Sequence, residues 1–377
     1  MKKLIAFLGA IIMAGSVVSA QEVDSSATQQ MSSWGDAKKT DVVDYVPEIS
    51  LDARFGYNRN VSERTGGFGG DGLYLNIDGK ISKNFTYSLC QRLFSSHGED
   101  SSVFEATDWL NLTYEVGSFS FTAGKDVVAV GSYEYDAYDI DSYFDMNSMF
   151  YNSFSCYQWG VKAMWSPTDS SSLAFQVTTS PFAYSPLEDN IYAYNLAWYG
   201  EWENYTSIWS ANMFEYEPGK FVKALALGNM FYAGDFSLGL DVIMRGAKIK
   251  NIADDITVNL MPSYEVTDCI RLFGKVGFER VSEQPYDFWG EYISVDEMKT
   301  LNEASSEILP TFVIPNENYW FYGAGLEYFP LKEDKSIRLH AMWASNNYTK
   351  RHVFNIGLTW KFDVVNAIKH IAHKAKK

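Results

Sequence analysis

The feature that most constrains this chain is a succession of extended segments with a two-residue hydrophobic period, joined alternately by tight and by longer connections. In a strand, successive side chains point to opposite faces, so an alternating run builds a surface with one apolar side and one polar side. The run HVFNIGLTWKF shows it: Phe354, Ile356, Leu358, Trp360 and Phe362 share one face, and Val353, Asn355, Gly357, Thr359 and Lys361 the other. About sixteen such strands are predicted, at 48–58, 71–82, 84–94, 108–116, 119–125, 157–166, 171–179, 190–202, 205–216, 220–232, 235–245, 255–266, 269–280, 318–329, 336–345 and 352–362. Strands 205–216 and 220–232 alternate poorly, and Pro262 implies a bulge or break within 255–266 because it cannot donate to a ladder.

The connections are more telling than the strands. Gly, Asn and Asp mark tight reversals at 82–84, 116–118, 167–170, 203–204, 233–234, 267–268 and 331–335. The connections between them are mostly longer, the largest being 126–156 and 281–317. Strands near the roughly 9 to 11 residues that cross a tilted bilayer path, with short turns at one end and long loops at the other, predict an all-β fold: a transmembrane antiparallel β-barrel with periplasmic turns. Trp165, Trp202, Tyr264 and Tyr328 near strand ends fit interfacial girdles. A soluble sandwich or propeller would also alternate, but no second apolar element is available to cover these faces.

Residues 1–20, with Lys2 and Lys3, an apolar run and Val18-Ser19-Ala20, read as a secretory signal peptide; residues 21–47 read as a flexible periplasmic leader, 48–362 as the barrel and 363–377 as a basic amphipathic tail. Both termini are expected in the periplasm of a Gram-negative cell. After Ala20 no apolar run is long enough for a membrane helix. Cys90, Cys156 and Cys269 are too few and too scattered for a disulfide framework or a metal cage. The net charge of -16 argues against nucleic acid as a partner.

Sixteen strands enclose an aqueous lumen. The alternation turns Asp52, Arg54, Asp78, Lys80, Arg92, Glu115, Lys162, Glu201, Asp241, Arg245, Arg271, Lys275, Glu279, Glu327, Arg338, His340 and Lys361 inward, a wall of nearly balanced charge. Of these, Arg54, Lys80, Arg92, Glu115, Lys162, Glu201, Arg245, Arg271, Lys275 and Arg338 are the candidate pore-lining residues. Loop 126–156 holds Glu134, Asp136, Asp139, Asp141 and Asp145 with no Lys or Arg, and is rich in aromatics including Tyr143. Folding it into the barrel would narrow the pore, with aromatics as anchors and carboxylates setting the field. The bland reading is an external loop over the mouth. In 281–317, Ser294 and Glu297 form a capping-box pattern ahead of an amphipathic run.

The segment DWLNLTYEVGSFSFTAGKDVVAVG, with Gly124-Lys125 leading into a long third loop, and the opening strand ISLDARFGYN resemble the phosphate-selective porin O and P family and related Bacteroidota outer-membrane porins. The resemblance implies a trimeric porin with a basic, anion-passing eyelet; the acidic third loop departs from that pattern. The expectation is an outer-membrane porin for passive diffusion of small hydrophilic solutes or ions, embedded in outer-membrane lipid, without cofactor or metal. A surface-binding or structural barrel acting through its long loops is the alternative. An enzyme is not expected, because His340 has no matching serine nucleophile. Calcium at Asp136, Asp139, Asp141 and Asp145 lacks the EF-hand glycine and terminal Glu.

Overall fold

The computed structural model describes residues 46–367 apart from 94–102, 138–142, 144–146, 153–154, 184–188, 249–251, 283–293, 305–308, 311, 333 and 366. The signal peptide, nearly all of the leader, most of the tail, and Asp139, Asp141 and Asp145 lie outside the described residues.

Sixteen antiparallel strands close into one barrel. They are β1 (Glu48–Asn60), β2 (Thr65–Ser82), β3 (Phe85–Arg92), β4 (Thr107–Val116), β5 (Phe119–Val127), β6 (Tyr157–Thr168), β7 (Ser171–Thr179) and β8 (Tyr192–Trp202), then β9 (Tyr205–Glu217), β10 (Lys220–Ala233), β11 (Phe236–Gly246), β12 (Asp255–Thr267), β13 (Ile270–Arg280), β14 (Asn318–Tyr328), β15 (Ile337–Asn346) and β16 (His352–Asp363). Each pairs with its chain neighbours, and β16 returns to β1 with Phe362 opposite Leu51 and Gly357 opposite Gly56. Closure leaves no sheet edge, the condition that hydrocarbon imposes on a spanning sheet.

The seven connections after the even-numbered strands from β2 to β14 gather at one end, together with the start of β1 and the end of β16. Gly117 and Gly234 sit there with φ of 63° and 60°, the left-handed region a tight reversal requires. The opposite end is variable, as expected. It carries the long connections, but 61–64, 218–219 and 347–351 are short as well.

Alternation decides which side meets what. Outward-facing Leu173, Phe175, Leu196, Leu260, Leu272, Val276, Leu326 and Ile356 are all exposed, whereas inward Gln176, Asn195, Asn212, Asn259 and Glu279 are buried. An apolar exterior over a polar interior inverts a soluble protein and suits lipid outside. At the turn end Phe119, Trp165, Trp202, Tyr264, Tyr328 and Phe362 stand exposed on the outer face, as a girdle would. The outward Asn229 uses its whole hydrogen-bonding capacity: Tyr205 Oη and Trp209 Nε1 donate to its Oδ1, and its Nδ2 donates to the carbonyls of Leu227 and Leu240.

Pro262 breaks the ladder without shifting it. β12 holds one register on either side of the proline, Leu260 opposite Val276 and Ser263 opposite Phe273, while Met261 and Pro262 drop out of the pairing with β13. The register shift in this strand pair lies elsewhere, between Glu265 and Thr267. In the third long connection a short helix α1 (Tyr133–Asp136) and a single turn α2 (Met149–Asn152) form; in the seventh, α3 (Val295–Ala304) starts where Ser294 Oγ accepts from Glu297 N at 3.3 Å, the cap its sequence signalled.

Candidate functional site

After β5 the chain turns into the barrel and runs along the inner wall. Val128, Val130, Tyr135 and Phe150 pack against inward Ala193, Phe214, Val222, Ala224, Ala226 and Ile243 of β8 to β11. The contact is close because the wall is cut low there. A Cβ on Gly131 would stand 2.5 Å from the Ile208 carbonyl oxygen, 2.6 Å from that of Ala226 and 2.7 Å from Ser210 N, so backbone lies directly on backbone. Polar wall groups then take up the loop's main chain. Ala129 N donates to Gln176 Oε1 at 2.8 Å, Asn212 Nδ2 to the Ala129 carbonyl at 2.8 Å, and Gly131 N to Ser210 Oγ at 2.8 Å.

Asp241 of β11 fixes the start of α1. Its carboxylate accepts from Ser132 Oγ at 2.7 Å, Tyr133 N at 3.0 Å and Glu134 N at 2.9 Å. These are amides a helix start leaves unpaired, and a carboxylate is their favoured partner. Because Gly131 has no room for a side chain, Gly131→Val should lift this root off the wall. The expected result is a barrel with normal heat-modifiable mobility but higher conductance and new protease cleavage within 128–152.

Further along, Glu134 is fully committed. It accepts from Ser148 N and Oγ at 3.0 and 2.6 Å and from Asn259 Nδ2 at 2.8 Å, and it pairs with Lys275 at 2.7 Å. Beside it Arg245 pairs with Glu279, donates to Thr257 Oγ1 at 2.8 Å, and lies 5.0 Å from the Phe150 ring centroid. Glu279 also accepts from Met149 N at 2.6 Å, joining the loop to the pair.

The loop reaches across to β13, β14, β15 and β1 at Tyr143. Its ring stacks on His340 at 4.2 Å and tilts against Phe273 at 5.4 Å, with the guanidinium carbons of Arg54 and Arg338 each 5.7 Å from the ring centroid. The phenol donates to Glu327 Oε1 at 2.5 Å, and Arg271 pairs with the same carboxylate. Glycines admit these large groups: Phe273 lies over Gly325, Phe321 over Gly277, and His340 over Gly357.

The residues singled out from sequence thus divide. Arg54, Arg271 and Arg338 gather at the loop tip with Tyr143. Arg245 and Lys275 face inward as expected but lie beneath the loop, at 1% and 6% exposure, and Glu134 is buried with them. Lys162 pairs with Asp126 at 2.6 Å near the loop root, and Arg92 with Asp108 at 2.6 Å. Lys80, Glu115 and Glu201 are inward and away from these contacts, toward the turn end. Lys125 of the Gly124-Lys125 motif is not in the lumen; its Nζ donates to the Phe104 carbonyl at 2.7 Å. Asp241, Glu279 and Glu327 read from sequence only as wall charges, yet they hold the loop.

Asp136 in α1 has its carboxyl pushed up to about 7: burial raises it most, Lys162 opposes, and Asp126 and Asp241 add to the rise. A carboxyl raised on docking favours the docked loop in its neutral form. That contribution is complete below the ordinary value of 3.8 and is lost as pH climbs to about 7. Conductance fluctuations from loop movement should therefore increase between about pH 4 and pH 7 and level off above it. Asp136→Asn should flatten this dependence in single-channel recordings.

No family model and no curated protein matches the chain. Solved structures do. A loop L8 deletion mutant of OmpT, an outer-membrane protein of Vibrio cholerae, is 12% identical, with 85% of this chain and 100% of that one covered at a TM-score of 0.57. In vitro folded OmpT in a trimer form is 14% identical, with 84% and 99% covered and a TM-score of 0.56. A triple mutant of the Rhodopseudomonas blastica porin is 13% identical, with 84% and 100% covered and a TM-score of 0.52. The likeness establishes the fold: a sixteen-stranded barrel of the outer-membrane type.

Proposed function

We propose that the protein is an outer-membrane porin, a water-filled channel for passive diffusion of small polar solutes or ions, narrowed by the connection after β5. The observation that carries this reading is the seating of that connection inside the barrel, bonded from Ala129 to Met149 on inward residues of β7 to β13 and touching β14, β15 and β1 at Tyr143. A segment held this way leaves the inner faces of β16 and of β2 to β6 as the other side of the passage. Half-buried polar wall groups such as Asn76, Asp78, Thr86, Ser88 and Ser120 line that side, which suits hydrated solutes.

The same reading places the turn end and both termini in the periplasm, and the lining at Arg54, Lys80, Arg92, Glu115, Lys162, Glu201, Arg271 and Arg338. It assigns constriction to the loop carrying Glu134, Asp136, Asp139, Asp141, Tyr143 and Asp145, with Arg245 and Lys275 supporting the loop from beneath. A homotrimer is the proposed assembly, in keeping with the trimer form described for OmpT. The likeness to phosphate-selective porins extends in this reading to architecture and passive transport, and not to phosphate.

Swelling of proteoliposomes in sugars of graded size tests it. Rapid swelling with small sugars and a sharp fall with larger ones is expected. Swelling no faster than in protein-free liposomes would overturn the proposal.

A further inference from the structure

Glu327 stands apart from the other wall carboxylates. It is fully buried, it lies in register between Arg271 on β13 and His340 on β15, and one of its oxygens receives the hydroxyl of the loop-tip Tyr143. Its other oxygen pairs with Arg271, and Arg338 Nε lies 4.0 Å from the first. Among the described residues that touch the Tyr143 ring or hydroxyl, Arg54 and Arg338 bring guanidiniums, His340 an imidazole, and Glu327 a carboxylate.

We propose that Glu327 is a determinant of ion selectivity, and that its charge offsets the guanidiniums of Arg271 and Arg338 at the point where the loop tip meets the wall. The inference rests on the channel reading above and deepens it. A charge acts on a passing ion through the sum of its neighbours, so a carboxylate within a guanidinium cluster sets how strongly the cluster draws anions. The ligand class is the small inorganic ion, with Glu327 holding down the preference for anions.

The physical alternative is that Glu327 only seats Tyr143. Charge and seat separate by substitution. Glu327→Gln keeps the shape and a hydrogen-bond acceptor while deleting the charge, whereas Tyr143→Phe deletes the hydroxyl without changing any charge at neutral pH.

The test is the reversal potential of single channels in a potassium chloride gradient, on full-length protein with heat-modifiable mobility. Glu327→Gln should raise the chloride-to-potassium permeability ratio several-fold. Arg271→Gln should shift it the opposite way, and the double variant should return close to the parent. Tyr143→Phe should alter the conductance level and move the ratio less than Glu327→Gln does. A Glu327→Gln ratio equal to the parent's, or a Tyr143→Phe shift as large, would overturn the inference. If Glu327→Gln does not assemble, an unshifted Arg271→Gln channel overturns it instead. A parent protein that conducts nothing would instead refute the channel reading.

Discussion

Replacing residues 133–152 with a short Gly-Ser linker should, on the function proposed above, give channels of higher conductance, because the described residues of the segment are seated on the inner wall. The barrel itself should survive the change. Its strand pairs are hydrogen-bonded to one another around a closed ring, and none of that ring runs through the deleted residues. Besides the apolar packing of Tyr135 and Phe150, the deleted residues are attached by contacts to Asp241, Asn259, Lys275, Glu279 and Glu327, groups that water can solvate once the segment is gone. Larger solutes should then pass in the swelling assay. An unchanged conductance with normal assembly would mean that the loop lies off the conducting path.

The largest stability effect is expected at the Arg245–Glu279 pair. Glu279→Ala leaves the Arg245 guanidinium, 1% exposed, without its carboxylate and frees Met149 N from its acceptor. Breaking a buried pair from one side costs about 3–5 kcal/mol. Replacing both partners together, Arg245→Met with Glu279→Leu, should cost less, since no charge is then stranded. Urea unfolding of the protein reconstituted in lipid gives the comparison. Equal destabilisation by the single and double variants would show that the pair's charge is not what matters there.

Much of the barrel was legible from sequence, since all sixteen predicted strands form, with ends that move by a few residues; the largest change is β2, which begins at Thr65 and not at 71. The signal was strong where a strand has lipid on one side and water on the other, because the two-residue period then records both solvents. It faded on β9 and β10 for a physical reason. Inward Phe214, Val222, Ala224, Ala226 and Gly228 face the loop and not water, so their side of the strand is apolar or small as well. Weak alternation there was the mark of a second packed layer.

The site was legible only in part. That the loop is anchored by aromatics follows from its composition, and Tyr143 and Phe150 do anchor it. The fate of its carboxylates does not follow, since the partners of Glu134 at Asn259 and Lys275 are more than a hundred residues away in the chain. Inward orientation also says nothing about wetness: Arg245 and Lys275 point into the barrel and end beneath the loop. Gly131 was the available clue. A glycine closing the run Val127-Val128-Ala129-Val130 marks a close backbone approach, and it is where the loop meets the wall.

Single-channel recording from the purified full-length protein in a planar lipid bilayer decides whether the barrel conducts. Discrete, long-lived conductance steps with a nearly linear current–voltage relation are expected, present without any cofactor or energy source. Protein that migrates as a heat-modifiable barrel, enters the bilayer and yet gives no steps would contradict the channel reading.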